Sequence, residues 1–425
     1  MMERPLTANI RDDGEAADLA SYRRSGGYDA LRYTLGKTAP ADVIATVTAS
    51  GLSGFGGGGF PTGRKWQLMP GRASRPGPRY FVVNADEMEP GTFKDRLLLE
   101  GDPHQLLEGI ILGAYAVEAD TAYIFIRGEY TRAIARLEAA IGEATAAGLL
   151  GANILGSGFG LDIHVHGGAG RYICGEETAL LNSLEGKRAI PRAKPPYPQA
   201  SGLWGRPTIV NNVETICNVP HIIRNGAAWY RGLGRDGLPG TKIYGVSGRV
   251  NRPGTFELPM GASMRELIED HAGGMRRGYE LRAVLPGGAS TGFVAPRDLD
   301  VAMSFPAMAA IGTRLGTGTA IVLDDRTCPV GFIANLQHFF AQESCGWCAP
   351  CRDGLPWVEK TLKAIEGGAG EPGDLDLLHE MAGNLGPGRT FCALAPGAMA
   401  SLQTGLALFR DAFDSHIRRR ACQWQ

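Results

Sequence analysis

The sequence carries almost no net charge: Lys and Arg total 43 against 44 acidic residues, a formal balance of -1. Such a balance argues against a nucleic-acid binder that works through bulk electrostatics. Long apolar runs are absent too, and no stretch approaches the roughly 20 uninterrupted apolar residues of a membrane helix. The start, Met1-Met2-Glu3-Arg4-Pro5, lacks the basic-then-apolar pattern of an export signal. The expectation is a cytoplasmic protein with no direct membrane span. Cysteine is sparse and uneven. Of eight cysteines, three crowd at Cys345, Cys348 and Cys351, which is unlike a disulfide framework and points to reduced thiols or metal ligation. No internal repeat or low-complexity tract breaks the chain. What is plentiful is glycine, 61 of 425 residues, about twice the usual ~7%. That excess suggests backbone lying close to ligands.

At 425 residues the chain is longer than one typical core, so two or three domains are expected. Residues 1–235 alternate short apolar runs with amphipathic stretches, which argues for an α/β layered domain. The segments Tyr80–Val83, Ala122–Ile126 and Leu161–Val165 read as strands. Ala133 to Ala147 reads as a helix, and Cys174 to Leu184 as a helix entered from a glycine-rich turn. Residues 186–208 are proline-rich and aperiodic, and their Arg, Lys, Tyr and Trp content favours a functional loop over a disordered one. Residues 236–328 read as a small α+β module, with strands at Lys242–Val246 and Gly254–Leu258 and a helix from Met264 to His271. In residues 329–425 apolar positions recur every three to four residues in four stretches, ending with Leu402, Leu406, Phe409 and Phe413. That pattern predicts a compact helical bundle.

The strongest chemical signal is ESCGWCAPCR, residues 343–352. Thiolates at every third residue can converge on one iron–sulfur cube, and the fourth ligand must then come from elsewhere. Cys392, between two of the helical stretches, is the candidate. A structural zinc site is the alternative, although zinc normally takes two separated pairs of ligands.

Four further segments carry polar groups of the kind that hold nucleotides. In GLSGFGGGGFPTGRK, residues 51–65, bare backbone N–H groups at Gly54, Gly56, Gly57, Gly58 and Gly59, with Lys65, can receive a phosphate or support a flat ring. The same run also reads as a flexible turn. The strand at Tyr80 leads into Asn84, Asp86, Glu87 and Glu89, so acceptors gather at a strand's C-terminal end, where open α/β sheets bind ligands. A solvated acidic turn is the plainer reading. A glycine loop leads through Tyr172 and Gly175 to Glu176 and Glu177 at a helix start, which can bind an anion through free N–H groups. The two acids can equally serve only to complement the helix dipole. Asn211 and Asn212 add paired amides, or an ordinary helix cap.

Taken together, NADEMEPGTFKDR, GRYICGEETALLNSLEG, NNVETICNVP and ESCGWCAPCRDGLPW resemble the NADH-binding flavoprotein subunits of respiratory complex I. The resemblance runs from about Tyr28 to Phe413. It implies an α/β fold: a Rossmann-like FMN- and NADH-binding domain, a small ubiquitin-like domain and a four-helix bundle ligating a 4Fe-4S cluster. Residue by residue, it implies FMN contacts from the Gly54 to Lys65 loop, Asn84, Asp86, Glu87, Gly175, Glu176, Asn211 and Asn212, with Tyr172 in the same segment. Phe60 and Tyr197 match aromatic positions that sandwich adenine. Glu89 and Glu177 match positions near the dinucleotide's ribose and nicotinamide, where a carboxylate would disfavour the extra phosphate of NADPH. The cluster ligands would be Cys345, Cys348, Cys351 and Cys392.

The implied activity is hydride transfer from NADH to FMN, with no acid–base residue needed, followed by single-electron transfer to the cluster. The implied partners are a 2Fe-2S thioredoxin-like subunit and the large iron–sulfur subunit of the peripheral arm, with quinone reached through the assembled complex on the cytoplasmic face of the inner membrane. Two other roles fit the same segments. One is the diaphorase subunit of a soluble formate dehydrogenase or hydrogenase, and the other is an assembly subunit that has lost FMN. The family usually places basic residues where this sequence has Ser53 and Phe55, and Arg64 is a possible substitute. Cys174, Cys217, Cys328 and Cys422 read as packing or surface thiols, and Arg418 to Arg420 as a solvated tail.

Overall fold

The computed structural model describes residues 3–424. It divides into two compact units. The first comprises the residues up to Met88, Phe93–Ile243 and Glu257–Gly261, and the second comprises Glu89–Thr92, Tyr244–Phe256 and the residues from Ala262 onward.

The first unit is built on strands β1 (Tyr80–Ala85), β2 (Thr121–Arg127), β3 (Asp162–Gly168) and β4 (Thr208–Asn212). They form a sheet of order β3-β2-β1-β4 in which every pairing is parallel. Parallel neighbours need crossover connections, and the amphipathic stretches supply them as helices. Phe81, Val82, Val83, Ile124, Phe125 and Ile126 are buried in the two central strands, the near-continuous apolar character expected of a parallel sheet covered on both faces. The helix Pro103–Ala116 starts on the Asp102 carboxylate, which accepts from Gln105 N at 3.2 Å, with Pro103 in its first turn. Its residues are buried almost throughout. The helix expected from Ala133 to Ala147 spans Thr131–Ala146. The one expected from Cys174 is instead a 3-10 turn, Tyr172–Gly175, followed by the helix Glu177–Leu184.

Arg192 anchors the proline-rich segment. It donates from Nε to Asn182 Oδ1 at 2.9 Å, from Nη1 to Gly202 O at 2.8 Å and from Nη2 to Glu185 Oε1 at 2.7 Å. A guanidinium with several donors in a fixed plane suits this work.

The second sheet has the order β6-β5-β8-β7, from β5 (Thr241–Gly248), β6 (Gly254–Pro259), β7 (Leu281–Leu285) and β8 (Thr319–Asp324). Strand β8 runs parallel to β5 and antiparallel to β7. The helix from Met264 widens into a π-helical turn at Leu267–His271.

The helices Pro329–Glu343, Ala349–Glu366, Asp374–Asn384 and Leu394–Leu408 follow, burying Ile333, Phe340, Leu355, Val358, Leu362, Leu378 and Leu402. The last stretch, read as one periodic run to Phe413, breaks at Phe409, whose φ of -115 and ψ of 26 end one helix before Arg410–Arg419 begins. An apolar repeat cannot register such a break when both helices bury the same kind of side chain.

Candidate active site

The order of the first sheet reverses beside β1: the chain crosses from β1 to β2 on one side and returns to β4 on the other. In open parallel sheets the crevice at the C-terminal ends of two such strands is the usual ligand site. The register places Val83 opposite Asn211 and Asn84 opposite Asn212, so two polar motifs far apart in sequence meet at this crevice. The third arrives through Asn84 Nδ2, which donates to Gly175 O at 3.0 Å.

The glycine loop completes the edge. It closes on itself through Gly54 N to Phe60 O at 2.9 Å and Gly59 N to Gly54 O at 3.1 Å. Gly57 has φ 107, a conformation side chains rarely adopt. A Cβ on Gly56 would stand 3.1 Å from Asn212 Cβ, a tight contact, so glycine lets the loop lie against β4 without displacing that side chain. In the helix that follows, Lys65 Nζ donates to Val210 O at 2.7 Å and pairs with Glu177 at 2.7 Å. Trp66 Nε1 donates to Asn211 Oδ1 at 2.9 Å. Lys194 Nζ reaches both Glu176 and Glu177 at 3.0 Å. Burial works against ionisation of Glu177, yet Lys65 and Lys194 hold its carboxyl below the usual range. Two large aromatics remain exposed, Phe60 at 52% and Tyr197 at 57%.

Several conspicuous acids and amides of this set are engaged in holding the backbone. Glu87 accepts from Asp95 N at 2.7 Å and Arg96 N at 3.0 Å, and its Oε2 also accepts from Tyr130 OH at 3.1 Å. It thus covers the start of the helix Lys94–Gly101. Burial and then the neighbouring Asp95 push its carboxyl up to about 7. Glu176 caps the helix Glu177–Leu184, accepting from Thr178 N and Ala179 N, both at 2.9 Å, so it does complement the helix start. Asn212 caps the helix Val213–Asn225 through Thr215 N at 3.3 Å and donates to Asp95 Oδ2 at 2.6 Å. Asp86 is also buried. Tyr172 and Gly175 lie on the turn before Glu176, with Tyr172 half-buried and Gly175 exposed. Glu89 falls in the second unit, where Oε1 accepts from Ser290 N at 2.6 Å.

Sequence reasoning missed the buried ion network behind this edge. Lys94 Nζ lies 2.8 Å from both Asp95 and Glu214, and Lys242 Nζ lies 2.9 Å from Glu214. Burial opposes the charge on Glu214, but Lys242 and Lys94 hold its carboxyl low. Burial brings Lys242 down to about 8 despite Glu214. The available signal was Lys94-Asp95 inside the NADEMEPGTFKDR string, two charges in a segment with no other reason to be buried.

The network also accounts for Phe55. The ring is 1% exposed and has Lys242 Nζ 4.8 Å from its centroid, while Phe55 N donates to Thr215 Oγ1 at 2.8 Å. This side chain faces the core and a cation already sits over it, so an arginine here would place two cations together in a buried site. Arg64 is exposed on the helix after the loop.

In the second unit, Cys345 and Cys348 lie on the loop between the helices Pro329–Glu343 and Ala349–Glu366, Cys351 lies in the first turn of the latter, and Cys392 precedes the helix Leu394–Leu408. Burial, with further repulsion from Cys348, Cys392 and Cys345, pushes the Cys351 thiol up to about 12 although the Ser344 hydroxyl lies 3.2 Å from its sulfur. Cys345, Cys348 and Cys392 thus lie close enough to Cys351 to act on its charge, and a bound cluster would replace that repulsion with bonds. That donor set fits a 4Fe-4S cluster. Trp347 and Phe391 flank the loops, with ring centroids 6.4 Å apart.

A switch-point cradle for a flavin nucleotide in one unit and a four-thiolate cluster site in the other define an electron-transfer flavoprotein. Residues 47–221 match the Nuo51 FMN-binding domain family, residues 243–294 the SLBB domain and residues 331–416 the NADH-ubiquinone oxidoreductase-F iron–sulfur binding region. The chain is 52% identical to the F subunit of the NADH-quinone oxidoreductase of Escherichia coli (strain K12), covering 98% of this chain and 93% of that one. It is 51% identical to the F 2 subunit of the NADH-quinone oxidoreductase of Rhizobium meliloti (strain 1021), covering 99% of each. An NAD+-reducing [NiFe]-hydrogenase, solved in its air-oxidised state, superposes with a TM-score of 0.82 at 34% identity, over 95% of this chain and 67% of that one. The chain belongs to the family of NADH-quinone oxidoreductase F subunits.

Proposed function

We propose that this chain is the electron-input subunit of a proton-pumping NADH:quinone oxidoreductase, oxidising NADH by hydride transfer to bound FMN and passing electrons singly to a 4Fe-4S cluster. Bound flavin supplies the conversion from two-electron to one-electron chemistry, so the protein's task is alignment. The carrying observation is the crevice where Asn84 and Asn212 stand in register beneath a glycine loop that approaches it so closely that a Cβ on Gly56 would stand 3.1 Å from Asn212 Cβ.

In this reading the Gly54 to Gly59 backbone lies against the flavin nucleotide, and Asn84, Asp86, Asn211 and Asn212 line its polar edge. Glu87 and Glu176 act mainly by fixing the two helix starts that border it. Phe60 and Tyr197 offer exposed rings to the adenine of the dinucleotide. Lys65 and Lys194 keep Glu177 ionised, and a fixed carboxylate there accepts a hydroxyl hydrogen bond while repelling a phosphate. Cys345, Cys348, Cys351 and Cys392 hold the cluster.

Partners in this reading are a 2Fe-2S thioredoxin-like subunit and a large iron–sulfur subunit. Among the described residues no helix is long and apolar enough to cross a membrane, so attachment to the cytoplasmic face would run through those partners. The hydrogenase likeness favours a second reading, the diaphorase subunit of a soluble NAD-dependent enzyme; co-purification with quinone-reducing membrane subunits separates the two.

The test is an anaerobic visible spectrum of the purified chain with FMN, before and after NADH. Bleaching of the flavin over a broad iron–sulfur background is expected. Cluster absorption without bound flavin, or a colourless protein, would sink the proposal in favour of an assembly role.

A further inference from the structure

Two of the thiols that the sequence left as packing residues meet a histidine and a carboxylate in the second unit. Cys328, Glu366, His416 and Cys422 each present a ligand atom, and these atoms all lie within 4.8 Å of one another. They come from four places: the residue before the helix Pro329–Glu343, the last residue of Ala349–Glu366, the middle of Arg410–Arg419, and the segment after it.

We infer that these four side chains form a second, mononuclear metal site for Zn2+ or a cation of the same class, separate from the iron–sulfur site. The geometry carries the inference. Tetrahedral zinc with bonds of about 2.0–2.3 Å has ligand-to-ligand edges of roughly 3.3–3.8 Å. Here Cys328 Sγ is 3.4 Å from both His416 Nε2 and Glu366 Oε2, and His416 Nε2 is 3.2 Å from Glu366 Oε2. These edges are too short for the corners of an iron–sulfur cube, but they match one small ion.

The outer contacts agree. His416 Nδ1 is 2.7 Å from Ala412 O, so Nδ1–H donates there and Nε2 turns its lone pair inward, the orientation that metal-binding histidines are usually given. Gly331 N donates to Cys328 Sγ at 3.3 Å, which favours a thiolate. Trp424 stacks on His416 with centroids 5.9 Å apart, and Arg282 lies 4.9 Å from the Trp424 ring and close enough to Cys328 to interact with its charge. Without a metal, burial, the Glu366 carboxylate and the Cys422 thiol push Cys328 up to about 12; a divalent cation would replace those opposed charges with bonds. A cleft lined by Gly331, Ala334, Lys363, Glu366, Arg420 and Cys422 gives an ion a way in. Sulfur, imidazole and carboxylate together suit a borderline cation without redox chemistry. All four positions are filled by protein, so the site would be structural, fastening the last helix and its following segment to both ends of the bundle's first hairpin.

The full chain, prepared anaerobically with its cluster and dialysed against a weak chelator, should contain about one zinc per chain in addition to cluster iron. Cys328→Ser and His416→Asn should each remove the zinc while iron content and the broad visible spectrum stay unchanged. Zinc absent from the unaltered chain, zinc retained in both variants, or a Cys328–Cys422 disulfide in the anaerobic protein would overturn the inference. Should the variants fold poorly, zinc-edge X-ray absorption of the unaltered chain decides. Two sulfur and two lighter ligands support the site, whereas four sulfurs would mean zinc lodged in the iron–sulfur cysteines. Neither flavin reduction by NADH nor its failure bears on this result.

Discussion

The iron–sulfur loop and the crevice above β1 and β4 use their conspicuous residues in opposite ways. In the proposed cluster site side-chain identity would be the function: a thiol either ligates iron or it does not. At the crevice, the acids and amides that stand out in sequence are mostly occupied by the fold. Glu87 and Glu176 cover helix starts, Asn212 does so while holding Asp95, and Asn211 receives the Trp66 indole. On the proposed reading the surface offered to the flavin there is largely backbone, made possible by those side chains. A chemistry that needs bonds to named atoms is therefore compact in sequence, and one that needs a shaped surface is spread over everything that shapes it.

The comparison breaks most sharply at one cysteine. Replacing Cys392 with Ser should abolish the cluster, seen as loss of iron and of the broad visible absorption, and with it electron delivery to quinone, while FMN binding persists. If flavin is lost in parallel, the two sites are not independent in the way described.

Next in size is the ion network. Glu214→Ala leaves Lys94 and Lys242 buried without their shared carboxylate, and should cost about 3–5 kcal/mol of stability, measured by chemical denaturation. A loss within experimental error would mean that the two lysines find water or other acceptors. Gly57→Ala forces a side chain onto a backbone with φ 107. It should weaken FMN binding by roughly 1–3 kcal/mol, visible in flavin titration, with iron content unaltered.

The smallest effect is on pH dependence. Glu87 has its carboxyl raised from 4.5 to about 7 in the folded chain, so between those values the folded state holds a proton that the unfolded state has released. This contribution to stability is complete below about 4.5 and is lost as pH rises through about 7. Glu87→Gln should flatten that decline in pH-dependent melting curves, and an unchanged slope would assign it to other groups.

How far each region could be read in advance follows the same division. The two central strands were legible because a parallel sheet buried on both faces demands continuous apolar runs, as in Tyr80–Val83 and Ala122–Ile126. Strand β4 was not, because Thr208–Asn212 is short and ends in two amides, a pattern that also describes a helix cap; it is in fact both, a strand that ends on the cap of Val213–Asn225. The cysteine triplet stood out by its spacing, and the fold gathers Cys345, Cys348 and Cys351 around one helix start. The loop's fit to Asn212 was not legible, since the close approach of Gly56 arises only when β4 is paired with β1. Lys94, Asp95, Glu214 and Lys242 were invisible as a group, because charges scattered along a chain say nothing about their convergence until the chain is folded. Phe55 looked like a missing cation for the same reason: its direction, inward beneath Lys242, is a property of the packed loop.

With Cys392 as the proposed fourth ligand, its position would set the order in which the second unit can mature. Three of the proposed ligands lie together around the start of the helix Ala349–Glu366, but the fourth arrives only after the whole of Asp374–Asn384 has been made and folded back. A chain still emerging from the ribosome can offer three thiols and no closed site, so cluster delivery must wait for the bundle, and a bundle that closes without iron would bring unligated thiols together beside Cys351. Biosynthesis of this protein should accordingly depend on iron supply at one late step rather than throughout translation.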